Sequence, residues 1–229
     1  DNAANAKKAD EQSQASRADA GESDKLMSEL IAAMTDALRR RGFHGVGVSD
    51  ILQQAGAPKG VLYHHFPGGK AELAVAAIDQ VVDRMVAGLD QLLARQPDPM
   101  QATRQWLEAA TGRLQASDFE SGCPLATIAL ETTAADTALQ AALARAFDRL
   151  RQRLAGALTD AGHTPARAEA LAALIVSAYE GGLLQARVAR STDPLSRVTD
   201  ALLDLLVAPA AAAPTPAHPS TRTPPGAPA

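Results

Sequence analysis

Apolar residues recur at helical spacing along most of the chain, and no stretch shows the period-two alternation of a half-buried strand. Leu26, Leu30, Ile31, Met34, Ala37 and Leu38 stand at i, i+4, i+5, i+8, i+11 and i+12, one face of a first helix. The pattern restricts the chain to an all-α architecture of about nine helices. Composition agrees, with 46% hydrophobic residues but only 3% aromatic ones, and alanine, leucine and arginine prominent.

Glycine and proline punctuate the pattern. Gly42-Phe43 closes the first helix, with Arg39–Arg41 suited to its negative C-terminal end. A short second helix is predicted over 48–55, stopped by Gly56, and a third from Pro58 to about His64. Pro67-Gly68-Gly69 separates these from a long fourth helix over 70–93, closed by "RQPDP". Further helices are expected over 100–115, 124–133, 136–161, 165–190 and 194–207. Residues 1–23 lack large apolar side chains and read as a disordered arm or frayed helix, and 208–229 as a disordered Pro/Ala-rich tail. The folded unit divides at a boundary expected near residue 70, giving 24–70 and 71–207.

No apolar run has the length of a membrane span, and neither a membrane segment nor a signal peptide is expected. The single cysteine, Cys123, excludes an internal disulfide framework and suits a reducing cytoplasm. A net charge of −4 does not suggest nucleic acid, but its distribution does. From 25 to 70, six basic residues (Lys25, Arg39, Arg40, Arg41, Lys59, Lys70) stand against three acidic ones (Glu29, Asp36, Asp50). One short basic module is attached to an acidic body.

Within that module, only "AGAP" separates the apolar runs of helices two and three. Two short helices joined by a tight glycine turn form a helix-turn-helix pattern, whose second helix enters the DNA major groove. Next come Tyr63, His64, His65 and Phe66. Adjacent residues on a helix point about 100° apart, so His64 and His65 are poorly placed to share a metal, and no metal or cofactor is expected. Tyr63 and His64 instead offer a hydroxyl and an imidazole N–H to phosphates, and Leu62 and Phe66 the buried pair behind them. Lys70 opens helix four, where a cation and free backbone N–H groups favour a phosphate.

The stretch 26–73 resembles the DNA-binding domain of TetR-family transcriptional regulators, in "RRRGFHG", "VSDILQQAGAPKGVLYHHF" and "KAEL". The resemblance implies that Lys59, Gly60 and Val61 face the groove, while Tyr63, His64 and Lys70 hold phosphates of double-stranded DNA. Three departures alter that surface. Gly47 stands where the family often has a serine or threonine cap, Pro58 and Val61 replace common hydroxyl residues, and "PGG" is one residue longer than the usual turn.

"GCPLATIALE" and "YEGGLLQARV" resemble one branch of that family, whose members respond to drug-like or flavonoid-like aromatic compounds. In that reading helices four to seven enclose a cavity for a small apolar or aromatic effector. Met85, Trp106, Phe119, Cys123, Leu125, Phe147 and Tyr179 are the residues available to line it. Each could equally fill the core. Cys123 could be a small buried hydrophobe, or a sensor thiol with its pKa lowered at the start of helix six.

"AEALAALIVSAYEGGLLQA" is apolar nearly all round and "VTDALLDLLVA" carries a leucine stripe, so helices eight and nine are expected to pair with a second subunit. The expected function is a ligand-responsive regulator, a cytoplasmic repressor released from a palindromic operator. A helical scaffold that binds protein partners is the alternative. An all-α enzyme using Cys123, His163 or Glu180 is a weaker one, because no nucleophile–base–orienter spacing, phosphate loop or metal motif is present.

Overall fold

A computed structural model describes the backbone of residues 2–96 and 98–207. Among the described residues there are nine α-helices and no strand: α1 (Asn2–Arg41), α2 (Val48–Ala55), α3 (Lys59–His65), α4 (Lys70–Arg95), α5 (Pro99–Ala116), α6 (Pro124–Glu131), α7 (Thr137–Asp160), α8 (Pro165–Ala189) and α9 (Asp193–Val207). The backbone of the arm over 2–23 is helical and runs without interruption into the patterned part of α1. The expected tail at 208–229 lies outside the described residues.

Local chemistry explains the boundaries. Gly56 takes the left-handed conformation (φ +61°) past α2, which costs glycine little, and Ala57 N–H returns to the Leu52 carbonyl at 3.0 Å. Pro58 caps α3 in extended conformation instead of forming its first helical residue, so α3 starts one residue later than its sequence pattern predicts. Asp98 caps α5 by accepting from Met100 N–H at 2.9 Å, and the Thr164 hydroxyl caps α8 by accepting from Arg167 N–H at 3.4 Å.

Helix α1 packs on α2, α3 and α4, so α4 carries the small N-terminal unit on the helical body. In the body α7 lies against α4 and α8, α8 against α9, and α5 against α4, α8 and α9. Leu30, Met34, Leu38, Ile51 and Leu62 form the N-terminal part of one continuous core that passes through Leu73, Ile78 and Leu89 to the body. Because these stripes are shared, the N-terminal unit and the body are mechanically joined through α1, α4 and α6.

Candidate functional site

The helix-turn-helix presents the outer face of α3. Lys59 and Tyr63, four residues apart, share that face, and the Lys59 ammonium lies 5.8 Å from the Tyr63 ring centroid, where the ring's negative face attracts it. Gly60 and His64 are exposed beside them, Tyr63 keeps 46% of its surface, and Val61 is half-buried against the core. Leu62 and Phe66 are buried on the opposite face and hold α3 on its neighbours. His65 is tied to α1 through a 2.8 Å hydrogen bond between its Nε2 and Ser23 Oγ. The two imidazole rings meet edge-on, 5.0 Å between centroids, with His64 exposed and His65 half-buried. Among the described residues no group of three or more His, Cys, Asp or Glu is arranged to hold a metal ion.

Lys70 does not extend freely into solvent. Its ammonium sits over the Phe43 ring, 4.3 Å from the centroid, and partial burial lowers its pKa while Glu131 opposes that shift. The basic residues at the end of α1 are also partly engaged. Arg40 bonds Asp36 at 3.1 Å and Glu120 at 2.8 Å, and Arg41 bonds Asp50 at 3.3 Å. Arg39, like Arg40, lines a cavity of the body.

Glu131, the last residue of α6, is one of the polar links between the body and the N-terminal unit, beside Arg40–Glu120 and the 3.9 Å approach of His44 Nε2 to Asp136. Its Oε2 accepts from the backbone N–H of His44 at 2.9 Å, in the turn between α1 and α2. The chain makes room for it with Gly42. That residue has φ +72°, and a Cβ there would stand 1.7 Å from Glu131 Oε1. Nothing in the pattern of α6 marks this glutamate. It ends the quoted "GCPLATIALE" stretch, and only the fold brings it to residues 42–44.

A cavity of about 700 Å³ opens at the other end of α6. Met85, Trp106, Cys123 and Tyr179 line it, as the sequence suggests. The Trp106 and Tyr179 rings pack at 5.0 Å between centroids, and the indole N–H donates to the Met85 carbonyl at 3.3 Å. Three expected lining residues are elsewhere. Leu125 is fully buried, Phe119 lies in a surface groove with the Arg190 guanidinium 6.0 Å from its ring centroid, and Phe147 faces a second, adjoining cavity. The walls also differ from the expected four-to-seven set: α1, α4, α5, the 117–123 loop, the start of α6 at Pro124, and α8 bound this cavity. Helix α7 packs onto α4 and α8 and, of these two cavities, reaches the second through Phe147.

That second cavity, of about 440 Å³, shares Gly122, Cys123 and Leu183 with the first and is lined by Glu180. Both Glu180 carboxylate oxygens are buried without a hydrogen-bond partner, and burial pushes the pKa up to about 7, opposed by the neighbouring Cys123 thiol. Burial, followed by Glu180, in turn pushes the Cys123 thiol well above its usual range. The lowered pKa that would make Cys123 a sensor thiol is therefore not found, because burial outweighs the start of α6.

A family model for the N-terminal domain of bacterial regulatory proteins of the tetR family matches residues 30–77, and one for the C-terminal domain of LmrA/YxaF-like transcriptional regulators matches 99–201. The chain is 34% identical over 184 residues to an uncharacterized HTH-type transcriptional regulator of Mycobacterium tuberculosis, covering 78% of this chain and 93% of that one. The chain belongs to the TetR family of transcriptional regulators. Regulators of this family are DNA-binding, non-enzymatic proteins that bind operator DNA. The solved regulatory protein TetR from Rhodobacter sphaeroides superposes with a TM-score of 0.70 at 27% identity, over 77% of this chain and 96% of that one. CifR, a TetR-family regulator solved as a cysteine mutant with a 26-base-pair operator, has the same fold (TM-score 0.64, 21% identity, 76% and 94% coverage).

Proposed function

We propose that this TetR-family regulator is a homodimeric, cytoplasmic repressor, released from a palindromic operator by a small apolar or aromatic effector bound in the body. One observation carries the reading. Helix α6 runs from the cavity wall, at Cys123-Pro124, to the reader turn, where Glu131 holds His44. An effector that displaces the start of α6 moves a hydrogen bond that positions α2 and α3. To release DNA fully, the effector must prefer the displaced state by about 5.5 kcal/mol, enough to invert a 99:1 population.

The reader comprises residues 24–70 and the effector and dimer unit 71–207. In each subunit Lys59, Gly60 and Val61 face base edges, and Tyr63, His64 and Lys70 hold phosphates. Valine has no hydroxyl to offer, so position 61 favours contact with a thymine methyl. Pairing through α8 and α9 is supported by what they leave uncovered. Leu174, Leu184 and Val188 of α8 and Leu205 of α9 are exposed, with Val188 at 79%. An isologous four-helix contact covers them and sets two α3 helices about 34 Å apart, one turn of DNA.

Substitution of the outer face of α3 tests the reader. Tyr63→Phe should weaken binding to all DNA sequences severalfold and leave the salt slope unchanged, because the lost hydroxyl carries no charge, whereas Lys59→Ala should lower that slope by about one. Lys59→Ala should also change sequence preference. Titration of labelled duplexes at several salt concentrations measures affinity, slope and preference, and unchanged affinity in the first variant with unchanged slope and preference in the second would remove α3 as the reader.

A further inference from the structure

Four arginines line the first cavity: Arg39 and Arg40 from the last turn of α1, Arg84 from α4 and Arg113 from α5. Several arginines have carboxylate partners, although Arg187, which lines the adjoining cavity, makes no ion pair among the described residues. Arg40 is held by Asp36 and Glu120, Arg149 by Asp83, and Arg153 by Asp90. Arg39, Arg84 and Arg113 make no ion pair among the described residues, and no aspartate or glutamate lines the cavity they share. Asp83, next to Arg84 in sequence, is turned to Arg149. The nearby Glu180 faces the adjoining cavity.

Like charges gathered around one space repel, and partial burial strips water from one of them. Arg39 shows both effects: burial first, then Arg84 and Arg113, lower its pKa. Such a set is stabilised by an anion placed between its members, and guanidinium groups match planar oxyanions geometrically. The lining also holds apolar and aromatic side chains, those of Met85, Trp106, Leu114, Tyr179 and Leu183.

We propose that this cavity binds an amphipathic organic anion, its acid group held by Arg39, Arg84 and Arg113 and its apolar body laid against Trp106 and Tyr179. This deepens the effector reading above and rests on it. Arg39 stands three residues before Gly42, where α1 meets Glu131, so a ligand that pulls on Arg39 acts on the segment leading into the reader helices. The six basic residues of the 25–70 module thus do not all face DNA.

A matched pair of environment-sensitive dyes tests the charge requirement on the full chain: 8-anilinonaphthalene-1-sulfonate, and N-phenyl-1-naphthylamine, which has the same body without the sulfonate. The wild-type protein should bind the anionic dye at least about tenfold more tightly. Arg84→Gln and Arg113→Gln together, both at exposed positions, should remove that preference and leave binding of the neutral dye within about twofold. Equal binding of the two dyes by the wild type, which needs no variant to fold, would overturn the proposal. So would a double variant that loses operator affinity in the absence of dye while keeping the anionic preference, because the arginines would then serve DNA. Operator release in the same samples separates the two levels. Release by the neutral dye alone rejects the anion site and keeps the effector reading. Arginine-dependent binding of the anionic dye with no change in operator affinity keeps the site and rejects its effector role.

Discussion

Replacing Glu180 by glutamine should raise the unfolding free energy at pH 8 by about 3 kcal/mol and leave it nearly unchanged at pH 4. The carboxyl group is buried without a hydrogen-bond partner and titrates at about 7, against 4.5 for an ordinary glutamic acid. Between those values the folded protein holds a proton that the unfolded chain has released. The contribution of Glu180 is therefore most favourable below pH 4.5, declines as pH rises, and levels off above about 7. Glutamine is nearly isosteric with the protonated acid and does not titrate. The two stability curves should coincide in acid and separate across this window, as read by urea unfolding at a series of pH values. Parallel curves would mean that water or a bound cation satisfies the carboxylate.

Glu131→Ala should raise the effector concentration needed for half-release of operator about tenfold, with unliganded operator affinity changed far less. A hydrogen bond from a backbone N–H to a carboxylate contributes about 1.5–3 kcal/mol, and a partly exposed one falls at the low end. The bond from His44 N–H is the direct polar contact between α6 and the turn that leads into α2. Glu131→Gln keeps an acceptor oxygen and should restore most of the response. Gly42→Ala should mimic the alanine variant and also lower stability by about 1–3 kcal/mol, because φ is +72° and the new Cβ occupies the place of the carboxylate. Normal release by Glu131→Ala would show that coupling runs through α4 or α1 instead.

How legible these features were follows the range of the interactions that set them. Helices α2 to α9 were readable because glycine, proline and 3.6-residue periodicity act locally, and Gly56 and Pro58 mark the tight turn by backbone chemistry alone. The face of α3 was readable for the same reason: residues 59 and 63 lie on one side and 62 and 66 on the other. The cavity was only half readable. Trp106 and Tyr179 were expected in it, but the size and polarity of a side chain do not say whether it lines a space or fills one, and Leu125 fills one. Arg39 was counted with the DNA-facing charge because it stands in the basic "RRR" run, yet its helical position turns it to the body. Its association with Arg84 and Arg113, and that of Glu131 with residues 42–44, joins segments far apart in sequence. No local pattern encodes such pairs.

The most direct measurement is the affinity of the purified protein for fragments of its own upstream DNA, titrated across salt concentrations and then repeated with amphipathic aromatic compounds. The proposed function predicts one palindromic fragment bound by a dimer, with affinity falling steeply as salt rises and the complex dissolved by a compound that occupies the cavity. A protein that binds all fragments alike, or binds one that no cavity-filling compound releases, would contradict it.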